Sequence, residues 1–170
     1  MPVRLATTAD ADALVHVINR AYRVESHIFH GQRTDAADIH QRLRAPNVCF
    51  LVVDDDEAAT PRRLAGAVYV ETCGDRGYFG MLSVDPDRQG RGLGRTLVAA
   101  AEARALAAGS AFMDLDVVDR RGELADFYGA LGYVVTGSTP YGNPAATRLP
   151  VVLIRMSKPL GSSVPSVGRP

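Results

Sequence analysis

Apolar positions along the chain fall into short runs and helical stripes that alternate from end to end. Residues 3–6 read as a short strand. Thr7 or Thr8 then opens a helix, with Asp10 and Asp12 in the first turn, where the helix dipole favours them. Leu14, Val17, Ile18 and Ala21 recur at helical spacing and mark its buried stripe. A loop over residues 25–32 leads to a second helix over 35–44, stopped ahead of Pro46. Residues 48–53 form a compact apolar strand, 54–63 an acidic, proline-bearing turn, and 64–71 the return strand. A turn over 73–77 precedes a strand over 78–84, which ends at Asp85-Pro86-Asp87. Residues 92–108 are rich in Ala, Leu and Arg and predict a helix that stops at Gly109. A strand over 111–118, a helix over 123–131 capped by Gly132, and strands over 133–136 and 151–156 complete the pattern, with a loop over 137–150 between the last two. This order predicts a mixed α/β fold: a central, mostly antiparallel sheet with helices on both faces.

The length of 170 residues fits one domain, here taken as 1–159. Residues 160–170 are rich in Gly, Ser, Val and Pro and read as a flexible tail. Nineteen basic residues balance nineteen acidic ones, which removes the electrostatic case for nucleic acid or an anionic membrane as a partner. No apolar run approaches the roughly 20 residues that cross a bilayer. The first twelve residues lack the apolar stretch of a signal peptide, and Cys49 and Cys73 make no disulfide framework, so a cytoplasmic protein is expected. Lys158 is the sole lysine. Arginine occurs in every segment, which argues for compositional bias over one phosphate-binding patch.

The chemistry concentrates in Leu82-Ser83-Val84-Asp85-Pro86-Asp87-Arg88-Gln89-Gly90-Arg91-Gly92-Leu93-Gly94. A strand runs into a glycine-rich turn, and the turn runs into a helix. Glycines let backbone N–H groups crowd round one point, and the helix N-terminus adds partial positive charge, which together suit a pyrophosphate. Arg88, Arg91 and Arg95 can add full charges. A nucleotide-hydrolase phosphate loop needs a Gly-Lys-Ser/Thr that is missing. A dinucleotide fold needs its third glycine where Arg95 stands.

Gln89-x-x-Gly92-x-Gly94, preceded by Leu82-Ser83-Val84-Asp85-Pro86, resembles the acetyl-coenzyme A signature of the GNAT N-acetyltransferase superfamily. Residues 123–133, with Tyr128-Gly129-Ala130-Leu131-Gly132-Tyr133, resemble that family's helix ending in Y-x-x-L-G-F/Y. Two positions depart from the family pattern: Arg121 stands where many members carry Asn, and Leu124 where they carry Ala. The loop over 137–150 is not a general family feature either.

The resemblance implies a sheet splayed between the fourth and fifth strands, with the pantetheine arm of acetyl-coenzyme A lying in the splay. Backbone groups of Leu82 and Val84, with Ser83 between them, would pair with that arm like another strand. The N–H groups of Gln89, Gly90, Arg91, Gly92, Leu93, Gly94, Arg95 and Thr96 would hold the pyrophosphate. It also implies direct transfer of the acetyl group to an amine with both substrates bound, and Tyr128 as general acid toward the leaving sulfur. A phenol is protonated at neutral pH and, unperturbed, lies near a thiol in pKa. Glu71 and Glu25 are the preferred general bases, with Asp116 and a chain of waters as alternatives. Many relatives pair through edge strands, so a homodimer stays open.

Other features carry less. His27-x-x-His30 has ligand spacing, but no nearby residue completes a set, and no metal is expected. Asp54-Asp55-Asp56-Glu57 lacks the 12-residue calcium pattern and reads as a solvated hairpin. The expectation is an N-acetyltransferase acting on a small-molecule, peptide or protein amine. The alternative is an acyl-coenzyme A binding or sensor domain without turnover. The acceptor site would draw on residues 22–29, 71–78 and 137–150.

Overall fold

The computed structural model describes residues 2–57 and 63–161, so parts of the expected acidic turn and tail lie outside the described residues. Seven strands form one sheet: β1 (Val3–Leu5), β2 (Val48–Asp54), β3 (Leu64–Cys73), β4 (Arg76–Val84), β5 (Phe112–Val118), β6 (Val134–Pro140) and β7 (Val152–Pro159). Their order across the sheet is β1-β2-β3-β4-β5-β7-β6. Only β4 and β5 run parallel; the other neighbours are antiparallel. The crossover between β4 and β5 is α3 (Leu93–Ala107), whose long apolar-rich sequence suits a helix packed flat on a sheet.

Helices cover both faces, as the alternating pattern predicts. On one face, α1 (Ala11–Ala21) and α2 (Ala36–Arg44) bury Leu14, Val17, Ile18 and Ile39 against Phe50, Val52, Ala67 and Tyr69. On the other, α3 and α4 (Gly122–Gly129) cover Val68, Val70, Phe79, Met113 and Leu115. The approach of α3 is close. A Cβ on Gly77 would lie 2.7 Å from the Ala105 methyl and 2.9 Å from the Met113 sulfur, so only glycine fits there.

Several boundaries differ from expectation. Thr8–Asp10 forms a tight 3-10 turn, and α1 starts only at Ala11. The Thr7 amide donates to Asp10 at 2.7 Å, which draws the first turn in. Asp10 also takes two bonds from Arg4, which hold its carboxyl down at about 2. Strand β6 runs on through Gly137, Ser138, Thr139 and Pro140, residues that read as loop in sequence, because each finds a partner on β7. All seven of its residues are exposed, so no apolar alternation marks them. The acidic turn is not a free solvated hairpin: Asp54 pairs with Arg4, Asp55 with Arg88 and Glu57 with Arg91.

The feature that creates a site is the parting of β4 and β5. They pair at Arg76–Phe112, Gly77–Met113 and Tyr78–Asp114, and no further. On the paired side, the Arg76 guanidinium donates twice to Asp114 at 2.6 Å and once to Ser157 at 3.0 Å. Beyond Tyr78 a bulge distorts β4: its register against β3 slips between Gly80 and Ser83, and Met81 takes a positive φ of 49°. The extra residue reverses the facing of the strand. Gly77 and Phe79 turn toward α3 before the bulge, whereas Leu82 and Val84 do so after it. The Ser83 hydroxyl spans the bulge and donates to the Met81 carbonyl at 2.9 Å.

Candidate active site

A cavity of about 760 Å³ occupies the gap between β4 and β5. Its floor is Phe79, Leu82, Leu115 and Val117; its two ends differ in chemistry. At one end lies the glycine turn. Gly90 and Gly92 both have φ of +78°, which a side chain would strain. Gly92 is the N-cap of α3, and the first helical bond runs from the Thr96 amide to its carbonyl at 3.1 Å. The amides of Leu93, Gly94 and Arg95 therefore have no partner inside the helix, and these residues line the cavity. Amides gathered at a helix start in this way favour an anion.

Between the ends runs the free edge of β4. The Asp85 amide donates to Ala65 of β3 at 2.9 Å, so Asp85 and Ser83 direct their backbone groups to β3. By alternation Leu82 and Val84 direct theirs into the gap, where β5 no longer pairs with them. The Gln89 side chain meets the Val84 carbonyl at 3.3 Å and ties the strand end to the turn.

At the far end the Tyr128 ring enters from α4. It is 5% exposed and packs against Phe79, Phe127 and Tyr133 at centroid distances of 5.7, 5.1 and 6.1 Å. Its hydroxyl has no hydrogen-bond partner among the described residues. Burial raises the phenol well above its ordinary value, so it keeps its proton at any physiological pH. Glu25, in the turn after α1, lines the same end and is 7% exposed. Its Oε1 accepts from Arg121 at 2.9 Å, across 96 positions of sequence. Burial pushes the Glu25 carboxyl up, and the Arg121 charge offsets part of that rise. Arg121 also pairs with Glu123, so its guanidinium sits between two carboxylates.

The structure places other expected residues elsewhere. Glu71 is exposed on β3, one strand away from the gap, and accepts from the Tyr69 hydroxyl at 2.8 Å; it does not line the cavity. Asp116 does line it, but is paired with Arg155 at 2.5 Å and 3.0 Å. Ser83, Arg91 and Thr96 lie outside the lining. Arg88 and Arg91 were expected to add charge to the anion turn; instead they face Asp55 and Glu57. Arg95 alone of the three keeps its guanidinium at the cavity, over the Phe127 ring at 5.7 Å. Sequence reasoning missed Arg33 and the Glu25–Arg121 pair, for which no local pattern exists. Among the described residues no cluster of His, Cys, Asp and Glu could hold a metal. Among them, too, no helix is long and apolar enough to cross a membrane.

The cavity thus has backbone amides at one end, a free strand edge along it and a buried phenol at the other. Residues 12–133 match the family described as Acetyltransferase (GNAT) family, and the chain belongs to that family. Solved structures share the fold. The ribosomal-protein-S18-alanine N-acetyltransferase from Escherichia coli is 16% identical, with a TM-score of 0.72 and 99% of each chain covered. The ribosomal-protein-alanine N-acetyltransferase from Brucella melitensis is 20% identical, with a TM-score of 0.74, over 94% of this chain and 100% of that one. A phosphinothricin acetyltransferase from Sinorhizobium meliloti, solved in complex with AcCoA, is 16% identical with a TM-score of 0.74, over 99% of this chain and 92% of that one. No curated protein matches the sequence significantly.

Gly92→Glu places a carboxylate and a strained backbone at the anion turn. Its affinity for coenzyme A, measured by calorimetry, is expected to fall at least about 100-fold, as the loss of several charge-assisted bonds implies. Unchanged affinity would contradict the placement of the phosphates at this turn.

Proposed function

We propose that this protein is an N-acetyltransferase that passes an acetyl group from acetyl-coenzyme A directly to an amine, with both substrates bound at once. The observation that carries this reading is the opening of the α3 amides, the free β4 edge and the Tyr128 hydroxyl into one cavity. The residues present fit the cosubstrate: amides of Gly90 to Arg95 for the pyrophosphate, and Leu82 and Val84 for the pantetheine amides. When bound, acetyl-coenzyme A supplies an acetyl group activated as a thioester, whose sulfur departs as a thiolate.

Tyr128 holds a proton at its Oη and presents it to that sulfur. Because burial raises this phenol away from the range of a thiol, hydrogen-bond donation to the developing thiolate is its main contribution, ahead of complete transfer. Glu25 accepts the proton that the attacking nitrogen sheds, as the N–C bond forms and the C–S bond breaks. Its raised pKa makes it a stronger base than an exposed carboxylate, and its carboxylate form is lost as pH falls. Glu71, outside the cavity, takes no part in this account. The sensor alternative leaves Tyr128, which lines the cavity with its hydroxyl unpartnered among the described residues, without a role.

Tyr128→Phe is expected to lower kcat by roughly 10² to 10⁴-fold, the usual worth of a positioned proton donor, with coenzyme A affinity nearly unchanged. Free-thiol release against a panel of amines measures the first and calorimetry the second; wild-type turnover would remove Tyr128 from the chemistry. Glu25→Gln is expected to abolish the acid limb of the kcat/KM profile, which in the wild type rises with pH as Glu25 deprotonates. An unchanged limb would assign the proton to another group.

A further inference from the structure

The acetyl-transfer reading leaves one charge in the cleft unused. Arg33, in the loop before α2, lines the cavity, and its guanidinium carbon lies 5.2 Å from the Tyr22 ring centroid. It has no ion-pair partner among the described residues. The other acidic and basic groups at that end are engaged with each other: Glu25 and Glu123 with Arg121, and Asp116 with Arg155. Two cations of the lining thus remain unpaired, and they sit apart. Arg95 is at the anion turn, where the pyrophosphate accounts for it. Arg33 is at the acceptor end, among Tyr22, Glu25, Phe29 and Tyr141, where the cosubstrate supplies no anion.

The segment between β6 and β7 is strapped onto the loop after α1 by a β-bridge between Phe29 and Thr147. The His30 amide donates to Ala146 at 2.9 Å, the Arg148 amide to Ile28 at 2.8 Å, and Arg148 Nε to Ser26 at 2.9 Å. Ile28, Val118 and Val151 are buried together beneath the strap. The Phe29 and Tyr141 rings meet edge to face at 5.3 Å, and with Tyr22 and Tyr78 they wall the acceptor end. An end lined with rings suits an apolar side chain.

We propose that the acceptor is a small amino acid-like amine: a primary amine whose skeleton carries a carboxylate, held by Arg33, and an apolar or aromatic side chain, held by the ring wall. The inference rests on the acetyl-transfer reading of the same cleft. A guanidinium presents two parallel donors to a carboxylate, and stacking on Tyr22 fixes its plane. Among the described residues no carboxylate lies within ion-pair distance of Arg33, so its guanidinium is open to the ligand's carboxylate, and the ligand's amine is left beside Glu25 and Tyr128.

The test is calorimetry on the protein, with and without saturating coenzyme A, using matched pairs: L-phenylalanine against 2-phenylethylamine, and L-leucine against 3-methylbutylamine. In at least one pair the acid should bind about 10-fold or more tightly than its decarboxylated partner, the range of a charged bidentate contact. Arg33→Ala should erase that preference and leave the affinities for the plain amine and for coenzyme A within about 2-fold; Arg33→Lys should restore only part of it. Arg33 is exposed on a loop, and an unchanged Tm would exclude unfolding as the cause. No acid preference in either pair, including no binding by any of the four, overturns the proposal. So does an equal loss for acid and amine in Arg33→Ala, or tighter binding of the tripeptide Phe-Ala-Ala than of L-phenylalanine. Failure of the parent reading looks different: coenzyme A does not bind, while the acid preference and its dependence on Arg33 persist.

Discussion

Everything functional in this molecule depends on two parallel strands that stop pairing. β4 and β5 share three residue pairs, and then each presents an edge with nothing opposite. A backbone edge inside a protein must be satisfied, by a strand, by water or by a ligand. The parting is enforced from both sides. The Arg76–Asp114–Ser157 cluster clamps the paired end, while the Met81 bulge bends β4 away beyond it. The closeness of α3, set by Gly77, and the aromatic cluster around Tyr128 keep the two halves of the sheet in register across the gap. The cleft is a built defect in the sheet, and under the proposed function the ligand completes the sheet.

Charge then gives the cleft a direction. Most of the lining's ionic groups are engaged, Arg121 with both Glu25 and Glu123 and Asp116 with Arg155, which holds walls together. Arg88 and Arg91 are drawn off by Asp55 and Glu57, so the anion turn works mainly through backbone amides and the dipole of α3. Such donors are fixed in place and lose no side-chain entropy on binding. Of the arginines lining the cleft, Arg33 and Arg95 have no ion-pair partner among the described residues, and the proposals place an anion-bearing group at each.

The sequence made the sheet and its motif legible because those signals are local. Apolar runs mark buried strands, and glycines at Gly90 and Gly92 mark positive φ beside a helix start. Tyr128, three residues before Leu131-Gly132, is singled out by that spacing, and it lines the cavity. What stayed hidden is non-local or has no apolar signature. The Glu25–Arg121 pair joins residues 96 positions apart, and the departure at Arg121 gained its meaning only when the fold brought Glu25 to it. The second half of β6 carries Gly, Ser, Thr and Pro and is exposed on both faces, so only its pairing with β7 reveals it. Glu71 lies on β3, two residues before its end, and a strand's width separates it from the gap. Spacing along the chain gave no hint of that distance.

Hydrogen–deuterium exchange with and without acetyl-coenzyme A tests the account most directly. Exchange is expected to slow at the amides of Leu82 and Val84 and of Gly90 to Arg95, the free strand edge and the helix start, with much smaller changes in β1, β2 and β6. Binding by calorimetry without protection of those two stretches would contradict the claim that the ligand completes the sheet where β4 and β5 part.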